Sequence, residues 1–400
     1  MQILFVHPNF PGQFGPALSR LGKRPNLDCV FVSRTGAGSL EGVRRIRFDL
    51  RGGATRATHY CSRTFENGVW QAHAVFEACK ATPWLRPNLI VGHSGFGSTL
   101  FLQELYPCPI IGHFEYYYHP RGTDMDFRPE FPPAELDYLR SHTRNAMILL
   151  DLEACVAGYA PTQWQWSLLP PAWAPKVEVI HDGVDMEVWR RRVGPRRLGN
   201  EVLDDDLRVV TYVARGLEAM RGFDVFVRVA NRIAAAMPDV VFVVVGAERS
   251  VYGNDLRHIR TKTFKEHVLQ TERPDLRRFR FLGAIPAAQL VEVLSLSDLH
   301  IHLTVPFVLS WSLLNALACE CVVLASDVAP VREVIQHDRS GLLAGFSDVE
   351  GLAAQAMAVL RDPPAYRRLG AAGRALVEER YGLDRTLPKL ERLFARASGR

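Results

Sequence analysis

Along this chain, short unbroken apolar runs alternate with stretches in which apolar residues return every three or four positions, and polar, glycine-bearing loops lie between them. An unbroken run of about four to eight apolar residues suits a strand buried on both faces, whereas the three-to-four spacing suits a helix with one buried stripe. In the N-terminal half, strands are predicted at residues 2–6, 29–33, 89–92, 110–112 and 177–180. Helices are predicted through Ala17, Leu18 and Leu21, at 100–105, and at 134–152 with 153–156 continuing the pattern. The C-terminal half restarts the same alternation, with strands at 208–213, 240–246 and 280–282 and helices at 223–237 and 287–296. The stretch 300–334 follows, HIHLTVPFVLSWSLLNALACECVVLASDVAPVREV, which reads strand, loop, helix, strand, helix. Helical spacing returns at 366–376 and 383–397, where Leu387, Leu390, Leu393 and Phe394 share a face.

Strands that alternate with helices build parallel sheets, and such sheets hold ligands beyond the carboxyl ends of their strands. The double restart therefore predicts an α/β protein with two Rossmann-like domains facing across a cleft. The first domain is expected over 1–188 and the second over 207–378. Between them, 189–206 is expected to be a linker, since it holds Arg190, Arg191, Arg192, Arg196 and Arg197 beside Gly194, Pro195 and Gly199. The terminal segment 379–400 is expected as a helix that packs back on the first domain.

Composition narrows the class. With 400 residues, 48% of them hydrophobic and 23% charged, the chain has enough apolar material for two cores. A net charge of +5 is too small to argue for nucleic acid. No run of about eighteen apolar residues occurs, and the N-terminus opens as a strand without a charged leader and an apolar signal core, so cytoplasmic residence is expected. The arginine cluster is read as solvated linker, with peripheral contact to anionic lipid at the inner face of the membrane as the other reading. Seven cysteines, an odd number among apolar neighbours, are read as reduced structural thiols, and Cys319 and Cys321 lack the second pair a zinc site needs.

Candidate chemistry falls where predicted strands empty into loops. Gly12 lies between the first strand and the first helix, where a glycine lets backbone approach a ligand closely. His93, His113 and Glu115 follow the strands at 89–92 and 110–112. The loop 306–310 leads to Ser310 at the start of a helix, whose unpaired N–H groups and dipole suit an anion such as phosphate. Each has a structural reading beside it. A loop histidine also serves as a hydrogen-bonded surface residue, Tyr116, Tyr117 and Tyr118 also pack a loop on a sheet, and a helix N-terminus is also capped by water. The polar stretch 122–133 is expected as a loop that covers the cleft or meets an acceptor.

Several strings resemble the family 4 retaining glycosyltransferases of the GT-B fold, in the same order and over nearly the whole chain. Residues 179–185, VIHDGVD, are similar to the family's I-P-N-G-V-D string and depart from it at His181 and Asp182. Arg215 and Arg221 look like its Arg-x5-Lys pair, with arginine standing in for lysine. Residues 281–286 are similar to its base-binding loop, and 316–326 to its E-A-M-A-C-G-x-P-V-V-A-S run.

The resemblance implies transfer of a hexose, with retention, from a UDP- or GDP-linked sugar to an acceptor hydroxyl on a sugar, glycolipid or small molecule, in glycoconjugate or polysaccharide assembly. It implies a donor seat of Arg215, Arg221, Ile285, Leu309, Ser310, Trp311 and Asn315. Gly12, His93 and Glu115 stand on the acceptor side, and Glu115, His93, Arg215 and Arg221 carry the chemistry. The nucleotide-sugar is a substrate, and no further cofactor or metal is implied. Arginines suit the task, because the diphosphate gains charge as the glycosidic bond breaks. One departure cuts the other way. The two glutamates that the family usually carries, eight residues apart, fall here on Phe307 and Asn315. An amide still bonds ribose hydroxyls but lacks the charge of a carboxylate. The alternative is thus a non-catalytic protein that binds a nucleotide-sugar or a partner on the same fold.

Overall fold

The computed structural model describes residues 1–34, 36 and 38–399, so position 400, the end of the terminal segment set out above, lies outside them. The chain forms two compact units. The first comprises Met1–Arg121, Ala134–Gly183 and Leu383–Arg400, and the second comprises Gly122–Pro133 and Val184–Gly382.

In the first unit seven strands make one sheet: β1 (Gln2–Val6), β2 (Asp28–Ser33), β3 (Val43–Arg47), β4 (Leu89–His93), β5 (Ile110–His113), β6 (Ala157–Ala160) and β7 (Val177–Val179). Their order is β3-β2-β1-β4-β5-β6-β7, and every neighbouring pair is parallel. Both faces of β1 are covered, which is why its sequence is an unbroken apolar run. Ile3 and Phe5 point into one core with Leu18, Phe31, Leu390 and Phe394, the last two from the helix Leu383–Ala397. Leu4 and Val6 point into the other core, with Val30, Val75 and Ile90.

The second unit opens with a two-residue-per-arm hairpin, β8 (Arg197–Leu198) and β9 (Glu201–Val202). Its sheet has β10 (Arg208–Gly216), β11 (Val240–Ala247), β12 (Phe279–Gly283), β13 (Leu299–His302), β14 (Val323–Ser326) and β15 (Leu342–Ala344), in the order β12-β11-β10-β13-β14-β15, all parallel. The stretch 300–334 gives the expected succession: β13, helix Trp311–Ala318, β14 and helix Ala329–Arg332. Two parallel-sheet α/β units of the predicted class are therefore present.

Local expectations failed for identifiable reasons. The helix expected at 100–105 is a single 3-10 turn, Leu102–Glu104, because Pro107 follows closely and ends regular structure. The helix expected over 134–152 is two helices, Glu135–Arg144 and Ala146–Ala154. Asn145 interrupts them by clipping the backbone of Tyr118, donating to its carbonyl at 2.7 Å and accepting from its N–H at 2.9 Å. The stretch 122–133 has no helix or strand, as expected of a loop, and belongs to the second unit. Arg128, 5% exposed, donates to both carboxylate oxygens of Asp224, at 3.1 and 2.7 Å, and to the Ala219 carbonyl at 2.8 Å. Among the described residues, no helix is long and apolar enough to cross a membrane.

Candidate active site

The carboxyl ends of β1, β4 and β5 deliver three imidazoles to one place in the first unit. The His7 and His93 rings lie 4.9 Å apart, and those of His93 and His113 lie 4.8 Å apart. Glu115 follows β5 by two residues, and its Oε2 lies 3.4 Å from His93 Nε2. Gln13 donates to Glu115 Oε1 at 2.9 Å, and Gln165 donates to its backbone carbonyl at 2.5 Å. At the back of the cluster His113 Nε2 meets Asp182 Oδ1 at 3.0 Å, with both side chains buried. Gly12 sits beside His7 with φ +54°, and a Cβ there would come within 2.7 Å of His7 Nδ1, so only glycine fits.

These contacts set the charges. Burial alone pushes the Glu115 carboxyl up, but its contact with His93, the neighbouring imidazoles and the Gln13 bond outweigh burial and bring it to about 2. Burial, helped by His93, pushes His7 down to about 3. A partly ionic wall thus faces a cavity of about 240 Å³, lined by Asn67, Gln71, His93, Phe96, Glu115 and Arg144 among others. The Arg144 guanidinium stacks 3.6 Å from the Tyr118 ring centroid.

The second unit holds the other group. β10 runs out at Arg215 and Gly216, and a 3-10 turn, Ala219–Arg221, precedes Gly222 and the helix Phe223–Ala236. Exposed Arg215 donates to the Tyr252 hydroxyl at 3.2 Å, and the Arg221 guanidinium lies 5.3 Å from the Tyr252 ring centroid. Arg221 is 6% exposed and donates to Thr304 Oγ1 at 2.7 Å. Glu218, fully buried, accepts from the N–H groups of Val251, Tyr252 and Gly253 at 2.8, 2.8 and 3.1 Å, which fixes Tyr252 between the arginines.

The remaining candidates are placed less uniformly. Ser310 is the N-cap of the helix Trp311–Ala318, but its hydroxyl meets Ser312 Oγ at 2.8 Å rather than a backbone N–H. Trp311 is exposed, and Asn315 is half-buried on the second turn. The Leu309 side chain is buried in the core of the second unit, and half-buried Ile285 packs at the edge of that core. Among the described residues, no group of three or more His, Cys, Asp or Glu is placed to hold a metal ion.

Both halves of the chain match known families. Residues 25–189 match the glycosyl transferase family 4 group, and residues 198–376 match glycosyl transferases group 1. The chain belongs to the group 1 glycosyl transferases. Over 215 residues, 52% of this group 1 chain and 53% of the relative, it is 29% identical to the alpha-maltose-1-phosphate synthase of Mycolicibacterium smegmatis. Over 117 residues, 29% of the chain and 30% of the relative, it is 31% identical to the N-acetyl-alpha-D-glucosaminyl L-malate synthase of Bacillus anthracis. The chain thus spans about half or less of the length of these curated relatives. Among solved structures, sucrose-phosphate synthase from Thermosynechococcus elongatus superposes with TM-score 0.76 at 19% identity, covering 99% of this chain and 98% of that one. Anabaena HepE, solved in complex with UDP-glucose, superposes with TM-score 0.71 at 15% identity, covering 99% and 100%. These two likenesses are to the fold, which is GT-B.

In this group 1 glycosyl transferase Phe307 is 7% exposed, and its ring centroid lies 5.2 Å from that of Tyr252, so a hydrophobic contact occupies the place of the first glutamate. Sequence reasoning missed His7, Gln13, Tyr252 and Thr304. His7 carried a signal, since it follows a strand end as His93 and His113 do. Tyr252 carried none, because the loop that bears it has no periodicity.

Proposed function

We propose that this chain is a retaining glycosyltransferase that moves a hexose from a UDP- or GDP-linked donor to an acceptor hydroxyl during glycoconjugate or polysaccharide assembly. One observation carries the reading. Arg221 is buried at the carboxyl end of β10 and donates to the neutral Thr304 hydroxyl, while the Glu218 carboxylate that feels its charge is already held by three backbone N–H groups. A buried charge is ordinarily paired, and the diphosphate of a nucleotide-sugar is an anion of the right kind for this one. Arg215 adds a second, exposed guanidinium across Tyr252, while Ile285, the Leu309 backbone, Ser310, Trp311 and Asn315 complete the donor seat.

In the transfer, the bond between the anomeric carbon and the diphosphate oxygen breaks as the acceptor oxygen bonds the anomeric carbon on the same face. The acceptor proton goes to the departing phosphate oxygen, so no separate base is required in the second unit. The arginines stabilise the charge that builds on the leaving group. Glu115, held anionic, accepts a hydrogen bond from the acceptor and orients it, with His93 and Gln13 fixing the carboxylate.

Calorimetric titration of UDP and GDP into the wild type, Arg215→Ala and Arg221→Ala tests the reading. The expected result is loss of about 2 kcal/mol of binding in each variant, the scale of a lost charge-assisted contact. Unchanged affinity in both variants overturns it. Phe307 and Asn315, in place of carboxylates, favour a second reading, a nucleotide-sugar-binding protein without turnover. Donor binding with no glycosylated product across a panel of hydroxyl acceptors selects that second reading.

A further inference from the structure

The strap 122–133 packs on the rest of the second unit through Phe127 and Phe131, and its Arg128 lies directly behind the turn that carries Arg221. The Arg128 guanidinium bridges the two ends of that turn: Nη1 donates to the carbonyl of Ala219, the first turn residue, and both Nη atoms donate to Asp224 in the first turn of the following helix. Between them sits Gly222 with φ +63°, whose Cβ position falls within 2.8 Å of Leu303 and 3.1 Å of Phe346. The other side of the turn is tied down too. The Ala219 N–H donates to Asp255 Oδ2 at 3.1 Å, the Tyr212 hydroxyl donates to the Arg221 carbonyl at 2.8 Å, and the Val305 N–H donates to the Met220 carbonyl at 3.0 Å.

Those bonds all come from strands, helices and loops of residues 184–382. Arg128 alone among these partners comes from the strap, whose two ends join segments of the first unit at Arg121 and Ala134. It is closely held: the Phe131 and Phe346 rings each lie 5.0 Å from its Cζ, and Glu130 stands 3.3 Å from Nε. Asp224 is shared with Arg228 at 2.7 Å, so its negative charge stays balanced whichever guanidinium it faces.

Resting on the donor reading above, we infer that Arg128 is a positioning residue for the donor diphosphate, fixing the turn from Ala219 to Asp224 so that Arg221 is presented to the anion in one geometry. A planar fork is required for this, because one group must meet two carboxylate oxygens and a carbonyl at once. A lysine ammonium keeps the charge toward Asp224 and loses the bridge.

The test compares Arg128→Lys with Arg196→Lys. Arg196 is a second anchoring arginine of the same unit, at the opposite end of β10, where it donates to the Leu207 carbonyl at 2.6 Å and to Asp298 at 3.3 Å. UDP and GDP binding, steady-state constants for the donor and melting temperature are measured for both variants and the wild type. Arg128→Lys is expected to weaken nucleotide binding about fivefold or more and to raise the donor KM more than it lowers kcat, while Arg196→Lys stays within about twofold of wild type at a comparable melting temperature. Nucleotide affinity of Arg128→Lys within twofold of wild type overturns the inference alone, as does an equal loss in Arg196→Lys. A wild-type protein that binds neither nucleotide overturns the donor reading and this inference together.

Discussion

Glu115 keeps its charge at neutral pH, because its carboxyl is brought to about 2 against the upward push of burial. Such a group is a poor proton donor and a good hydrogen-bond acceptor. Glu115→Gln conserves shape and removes the charge, so transfer is expected to fall about tenfold to a hundredfold while UDP affinity is unchanged, as read by product formation beside calorimetry. Loss of UDP affinity in step with transfer contradicts an acceptor-side role. At Asn315 the opposite change is informative. Asn315→Glu places a carboxylate where ribose hydroxyls are expected, and nucleotide affinity should hold or rise by about 1 kcal/mol. If no nucleotide binds there, the half-buried carboxylate lacks a partner and the melting temperature drops instead. The positions of His93 and Glu115 were readable in the sequence because both follow predicted strands, whose ends a parallel sheet gathers. Their 3.4 Å approach was not, since it depends on the register of β4 against β5 and on Gln13 arriving from another loop.

Elements were readable where burial is symmetric or periodic. β1, β4, β10 and β11 are covered on both faces and appear as apolar runs. β3 escaped because it is an edge strand reading Val-Arg-Arg-Ile-Arg, with only Ile46 fully buried. The small residues of β6, Ala-Gly-Tyr-Ala, resemble no strand pattern, and Gly158 is required because a Cβ there would lie 2.5 Å from the Phe114 ring. At the junction before the helix Phe223–Ala236, Gly222→Ala must hold a left-handed φ and displace Leu303. A stability loss of about 1–2 kcal/mol or more is expected from urea denaturation, together with weaker UDP binding as the Arg221 turn relaxes. Asn145→Ala keeps helical propensity but frees the Tyr118 backbone on both its N–H and its carbonyl. It is expected to cost about 1–3 kcal/mol, measured the same way.

Across the whole molecule, acid sensitivity follows from buried imidazoles in both units. Burial holds His7 and His300 at about 3 and lowers His181 and His302 as well. An unfolded imidazole takes up its proton near pH 6.5, whereas these stay neutral when folded. Stability is therefore complete above about pH 6.5 and is lost as pH falls from there toward 3. Asp151, Glu218 and Asp255 act in the opposite sense, because burial raises their folded values above the unfolded ones near 4; for Asp151, raised to about 6, the stabilisation grows mainly as pH falls from about 6 toward 4. The urea midpoint at about pH 6 is thus expected to lie below that at about pH 7.5, and His7→Gln to narrow the gap. Equal midpoints contradict the account.

The helix Leu383–Ala397 has a timing consequence. Its Leu387, Leu390, Leu393 and Phe394 complete the core around Phe5 and Phe31, so the unit whose first strand leaves the ribosome earliest receives its last element only after the whole second unit has been translated. At ordinary elongation rates of about 5–20 residues per second, that apolar face waits for about 10–40 s. During the wait the second unit is free to fold to completion. The first keeps the apolar surface around Phe5 and Phe31 partly uncovered until the helix Leu383–Ala397 is made.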